Sequence, residues 1–200
     1  MFDWKEILDF WFGELDEQGL PDSEHRNRWF RPSRAFDQEI RRRFISMVLF
    51  ASEDGLRHWR KEPGGALAEI ILLDQFSRQI HRGGALAFDN DKLAIKLCKD
   101  AMRNGHDMAL PAVQRAFLYM PLQHSENKED QALSVDCYEQ LASATKGLAG
   151  DFMGSFLQSA RDHREIVDKF GRFPHRNKAL NRKSTPEEET YLESGKRFGQ

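Results

Sequence analysis

Apolar residues recur along this chain with the three-to-four-residue period of a helix, and nowhere do they alternate as in a strand. Between Asp3 and Phe12, Trp4, Ile7, Leu8 and Trp11 share one face, with Asp3 as the cap and Gly13 as the stop. From Ser33 to Ser52 the inner positions are Phe36, Ile40, Phe44, Met47 and Val48, while the Arg41-Arg42-Arg43 triplet falls on the solvated side. Further amphipathic helices are predicted at 89–104, 111–122, 129–144 and 151–170. The last places His163 in a stripe with Phe156, Ala160, Val167 and Phe170. Pro121 is expected to kink or end the 111–122 helix, and Ser125 to cap the next one. Ser184-Thr185-Pro186-Glu187-Glu188-Glu189 combines a hydroxyl cap, a proline at the first helical position and first-turn acids, so a short helix carrying Tyr191 and Leu192 starts there. Residues 14–32 read as a loop, held to the core by an Arg28-Trp29-Phe30 anchor.

The segment Ala66 to His81 differs from the others. Ile70-Ile71-Leu72-Leu73 is apolar all round, which a surface helix would not tolerate. At 100° per residue, Leu72, Leu73, Phe76 and Ile80 hold one face, and Leu67, Ile71, Asp74, Arg78 and Arg82 the other. A carboxylate and a guanidinium one turn apart on so buried a helix predict a partly desolvated polar site. The fold class expected is all-α: seven to nine helices in antiparallel pairs, one domain over 1–200, and a polar tail that frays after about residue 193. There is no self-similarity at the 34-residue tetratricopeptide period. Short glycine links between successive helices nonetheless suit a tetratricopeptide-like right-handed array.

Composition narrows the function classes. With 30 Lys/Arg against 32 Asp/Glu there is no global signature of polyanion binding. Positive charge is instead concentrated between Arg161 and Lys183, where eight Lys/Arg face three acids. The only cysteines, Cys98 and Cys137, have no metal-like spacing and make no disulfide framework. No basic and apolar leader is visible, and no run approaches the ~18 apolar residues of a membrane span. A cytoplasmic protein without membrane contact is expected.

Candidate chemistry follows from charged and imidazole groups on apolar stripes. Asp74, His124 and His163 are the candidate catalytic residues: two histidines among apolar neighbours, near acid-bearing motifs, suit a general base. Gln75, Arg78, Arg82, Glu126, Arg172, His175, Arg176 and Asn177 are the candidate ligand-binding residues, because the guanidinium fork matches a carboxylate or phosphate. His124-Ser125-Glu126 is not read as a triad, since adjacent residues do not face one another. No His-x-x-x-His or paired-cysteine spacing points to a metal, and no cofactor is expected. Arg172-Phe173-Pro174-His175-Arg176-Asn177 also reads as a C-terminal lock, with Phe170 and Phe173 inward and Gly171 making the turn. The leading expectation is a pocket for an anionic small ligand, with hydrolysis or transfer as the chemistry if the protein is an enzyme. The alternative is a scaffold whose concave groove takes a peptide. Weaker again is RNA binding through the C-terminal basic segment.

Five motifs occur in a set order: Leu8-Asp9-Phe10-Trp11-Phe12-Gly13, Arg28-Trp29-Phe30, Leu73 to Gly83, Phe117 to Glu126, and His163 to Asn177. In these the chain resembles, from about Ile7 to Leu192, the bacterial family catalogued as domain of unknown function 924. The resemblance implies a single all-α domain of tetratricopeptide-like helix pairs and no settled activity. The chain departs from the family pattern at Ser77 and Gln79, where proline and asparagine are usual, so a proline is removed from a helix interior.

Overall fold

Helices α1 (Trp4–Phe12) and α3 (Arg34–Ser52) form where cap and period coincide. The computed structural model describes residues 2–195. Helix α1 (Trp4–Phe12) starts where the Asp3 carboxylate accepts from the Lys5 N–H at 3.0 Å, and it buries Ile7, Phe10, Trp11 and Phe12. Helix α3 (Arg34–Ser52) is capped by Ser33 and buries the five predicted positions together with Ala51. The Arg41–Arg43 triplet is exposed, although the Arg43 guanidinium folds back to lie 4.5 Å from the centre of the Phe10 ring.

Residues 14–32 are not all loop. Helix α2 (Ser23–Phe30) forms within them, capped by Asp22, whose carboxylate accepts from His25 N–H at 2.9 Å. It buries only Trp29, so it shows no apolar period by which the sequence could reveal it. Trp29 does anchor the segment: its indole N–H donates to the Trp11 carbonyl at 2.9 Å, and its ring lies 4.5 Å from Phe117.

The central rod starts at Pro63 rather than Ala66. Helix α4 (Pro63–Ile71) runs without a break into a π-helical turn (Leu72–Phe76) and then α5 (Ser77–Ile80). Gly65 lets α4 pass Trp59, whose carbonyl oxygen would sit 2.2 Å from an added Cβ. The rod is buried all round, as its apolar run predicts, and packs against α1, α3, α6 (Asp91–Arg103) and α7 (Ala112–Gln123).

Pro121 neither ends nor breaks α7, which continues to Gln123. Its ring is buried, and only the one ladder bond that its nitrogen cannot donate is lost. Helix α8 (Lys128–Ala144) is capped by Asn127, which accepts from Glu129 and Asp130 N–H, and not by Ser125. Ser125 is buried and donates instead to the Asp130 carboxylate at 2.7 Å. Helix α9 (Gly147–Phe170) packs along α8 and ends at Gly171, whose φ of +70° is the left-handed cap that glycine adopts without strain. Helix α10 (Pro186–Ser194) opens with a complete capping box between Thr185 and Glu188.

Counting α4, the π turn and α5 as one rod, the described residues form nine helices and no strand. One hydrophobic core runs through α1 to α9, and a smaller cluster of Ile166, Val167 and Phe173 with Phe170 and Tyr191 docks the C-terminal segment. No helix among the described residues is long and apolar enough to cross a membrane. Cys98 and Cys137 are free and buried. The predicted tail after residue 193 lies largely outside the described residues.

Candidate functional site

The π turn sets the site. The Ser77 N–H reaches the Leu72 carbonyl, five residues back, so one extra residue is accommodated in the turn. A proline at position 77 has no N–H to make that bond, and Ser77 also accepts from Asn90 Nδ2 at 3.0 Å through its hydroxyl. The widened turn carries Asp74, which is only 1% exposed, into the middle of the helices.

Four charges of alternating sign meet there, Asp74, Arg78 and Arg176 buried and Asp91 partly buried. Arg78 spans Asp74 and Asp91 at 2.9 Å each, and its Nη1 also donates to the Asp74 carbonyl at 3.0 Å. Arg176 donates to the other oxygen of Asp91 at 3.1 Å and to the His124 carbonyl at 2.7 Å. Its guanidinium lies between the Phe88 and Phe173 rings, at 4.6 and 4.7 Å. Two guanidiniums and two carboxylates balance, so the cluster holds no net charge in a poorly solvated place.

Asp74 also orients His124. The imidazole Nδ1 lies 2.8 and 3.0 Å from the two carboxylate oxygens, and Gln75 Nε2 donates to Oδ2 at 2.6 Å. Burial opposes the Asp74 charge, but Arg78 and His124 outweigh it and hold the carboxyl well below the usual carboxylate range. His124 is shifted down by burial first, and Arg78 and Arg176 add to this against the pull of Asp74. A neutral imidazole beside a carboxylate carries its proton on Nδ1, and the lone pair is left on Nε2. No hydrogen bond from a described residue occupies that nitrogen.

His163 stands beside it, ring centre to ring centre 5.9 Å, with Nδ1 donating to the Ser159 carbonyl at 2.7 Å. Burial, and then the neighbouring His124, keep it neutral well below the ordinary histidine range.

Both histidines line a cavity of about 300 Å³. The end of α2 and the link after it contribute Arg28, Trp29, Phe30, Arg31 and Pro32. The rod contributes Gln75, Arg78, Gln79 and Arg82, α7 contributes Met120, Gln123 and His124, and α9 contributes Ser159 and His163. Four arginines and two imidazoles line this space with no carboxylate side chain among them. The balancing acids stand outside: Arg82 makes a two-pronged pair with Asp37 at 2.8 Å, and Arg28 pairs with Glu24. Arg31 is exposed and makes no ion pair among the described residues.

Of the residues singled out from the sequence, Gln75, Arg78, Arg82, His124 and His163 reach the cavity, and Asp74 and Arg176 lie directly behind it. Glu126, Arg172 and Asn177 do not. Glu126 accepts from Arg182 at 2.7 and 2.9 Å and from Phe173 N–H at 2.7 Å. Arg172 pairs with Glu188 at 2.7 and 2.8 Å, and Asn177 donates to Glu188 and Ser184. These three clasp the C-terminal segment, as the lock reading has it. His175 sits in the same segment, its pKa pushed down to about 3 by burial and the adjacent Arg176. The five arginines of the basic segment, Arg161, Arg164, Arg172, Arg176 and Arg182, each pair with an acid, four of them with acids elsewhere in the chain. Among the described residues no group of three or more His, Cys, Asp or Glu is placed to hold a metal.

Sequence reasoning missed Asp91, Arg31, Gln79, Gln123 and Ser159 as parts of this site. The cationic and aromatic run Arg28-Trp29-Phe30-Arg31 was the available signal for one wall.

Residues 7–196 match the model of a family described as "Bacterial protein of unknown function (DUF924)". The chain belongs to this family. A solved structure of a protein of unknown function from Agrobacterium tumefaciens, ATU0120, superposes with a TM-score of 0.81 at 36% identity, covering 96% of this chain and 97% of that one. No curated protein matches the chain. The DUF924 fold is thus shared with a solved relative, and neither comparison supplies an activity.

Proposed function

We propose that the cavity receives a small molecule bearing a phosphate or carboxylate, and that His124 acts on it as a general base. The observation that carries this reading is the Asp74–His124 pair facing a space lined by four arginines and no carboxylate side chain. Asp74 sets the tautomer, so Nε2 accepts a proton from water while the water oxygen attacks a carbonyl or phosphoryl centre. The imidazolium then returns that proton to the departing oxygen or nitrogen. Arg78 and Arg82 favour the negative charge that develops, in a site where water screens little of it. Hydrolysis is the simplest reaction that these groups perform unaided.

The test is turnover of a panel of carboxylic and phosphoric esters by wild-type protein and by His124→Asn, with ligand binding measured on both. Loss of turnover by on the order of 10²-fold or more, with binding retained, is expected. Equal turnover in the two proteins overturns the base. Absence of any anion binding overturns the site.

A further inference from the structure

Resting on that reading, we infer that the anion is not a bare one: the cavity takes a molecule with a single anionic group, a carboxylate or a phosphate, that also carries an aromatic or aliphatic group. The walls are zoned. Trp29, Phe30 and Pro32 form an apolar lip at the end of α2, and Met120 faces the same space from α7. Phe30 is 55% exposed, an unusual state for a phenylalanine that belongs to a cavity wall. It is not loose: its ring is propped edge-on by Trp29 at 6.1 Å and by Phe156 at 5.7 Å. Propped rings of this kind keep a face for an apolar guest at little entropic cost.

The cations lie apart from the lip in chemistry but not in distance along the chain. Arg28 and Arg31 flank the two aromatic residues, and of the four arginines lining the cavity Arg31 alone makes no ion pair with a described residue. A carboxylate or phosphate on Arg31 therefore leaves the remainder of the same molecule against Phe30. Deeper in, Gln75, Gln79, Gln123 and Ser159 present neutral hydrogen-bonding groups beside His124. Gln79 and Gln123 each have a buried amide oxygen without a partner. Uncharged donors and acceptors suit the ester or amide linkage of a ligand and not a second formal charge. An oxalate or an inorganic phosphate leaves both the lip and these amides unused.

Matched ligands test this by calorimetric titration: acetate against phenylacetate and hexanoate, inorganic phosphate against phenyl phosphate, and neutral phenylacetamide as the uncharged control. The tailed anions are expected to bind at least tenfold tighter than their bare partners. In Phe30→Ala, which removes an exposed ring and leaves the core intact, that preference falls several-fold while bare-anion affinity holds. In Arg31→Gln, bare and tailed anions weaken together. Equal affinity for bare and tailed anions overturns the apolar lip but leaves the anion site standing. Phenylacetamide binding as well as phenylacetate overturns the anion site itself, and with it the present inference. No binding by any of these probes overturns both.

Discussion

Asp74→Asn is the substitution that most directly questions the buried charge cluster. It changes no volume to speak of, yet leaves Arg78 and Arg176 with Asp91 as their one carboxylate. Removing one partner of a buried ion pair costs about 3–5 kcal/mol, because the other charge stays desolvated. Asp91 touches both guanidiniums, so the lower end, about 3 kcal/mol, is expected here. In a domain of this size that is a fall in melting temperature on the order of 10 °C. Urea unfolding followed by circular dichroism measures it directly. Adding Arg78→Gln to Asp74→Asn restores charge balance, so the double variant must be more stable than the sum of the two single losses. The same experiment reads the imidazole: nitrogen NMR should find the His124 proton on Nδ1 in wild type and shared between both nitrogens once an amide replaces the carboxylate. A loss under about 1 kcal/mol, or strict additivity of the pair, would refute the account of Asp74 as the charge that holds this cluster together.

Acid should weaken the fold earlier than carboxylates alone require. His124 and His163 are held neutral by burial, and His175 has a pKa of about 3 against an ordinary 6.5, so below 6.5 the unfolded chain takes up protons that the folded one refuses. The urea midpoint should accordingly drop between about pH 7 and about pH 5, and a flat midpoint over that interval contradicts the burial of the three imidazoles. Further acid then protonates Glu188, held at about 2 chiefly by the Arg172 hydrogen bond, and the loss continues in the same direction. Trp29→Phe removes the bond to the Trp11 carbonyl and part of an aromatic stack; a loss of about 2 kcal/mol is expected, and no loss would mean that the α2 anchor is idle. Gly171→Ala meets no atom within 4 Å but must hold φ at +70°, so it should cost about 1 kcal/mol through backbone strain alone, read from the melting temperature.

Short-range information was legible in the sequence. The caps Asp3, Ser33 and Thr185, the glycine stop at 171 and the three-to-four-residue apolar period each depend on neighbours within a turn or so, and each produced its helix. The apolar run 70–73 announced a rod buried on all sides, and the charges on it announced a polar site within that rod. The same local logic misread α2, whose eight residues bury one side chain, and Pro121, whose missing N–H costs a single bond inside an otherwise packed helix. A fixed 100° advance also could not foresee the π turn, because an i to i−5 bond is chosen by what surrounds Asp74 and not by its neighbours in sequence.

Which distant charges meet was decided by the tertiary structure alone. Asp74 finds His124 across 50 positions, and Arg176 reaches the His124 carbonyl across 52 and Asp91 across 85. Composition made the 161–183 segment a cationic surface, whereas the fold paired its five arginines with acids and gathered four other arginines around a cavity beside α2. A helix is written in contacts three and four residues apart; the sign of the charge facing a cavity depends on which distant acids the chain path brings against each arginine, and no local pattern encodes that path.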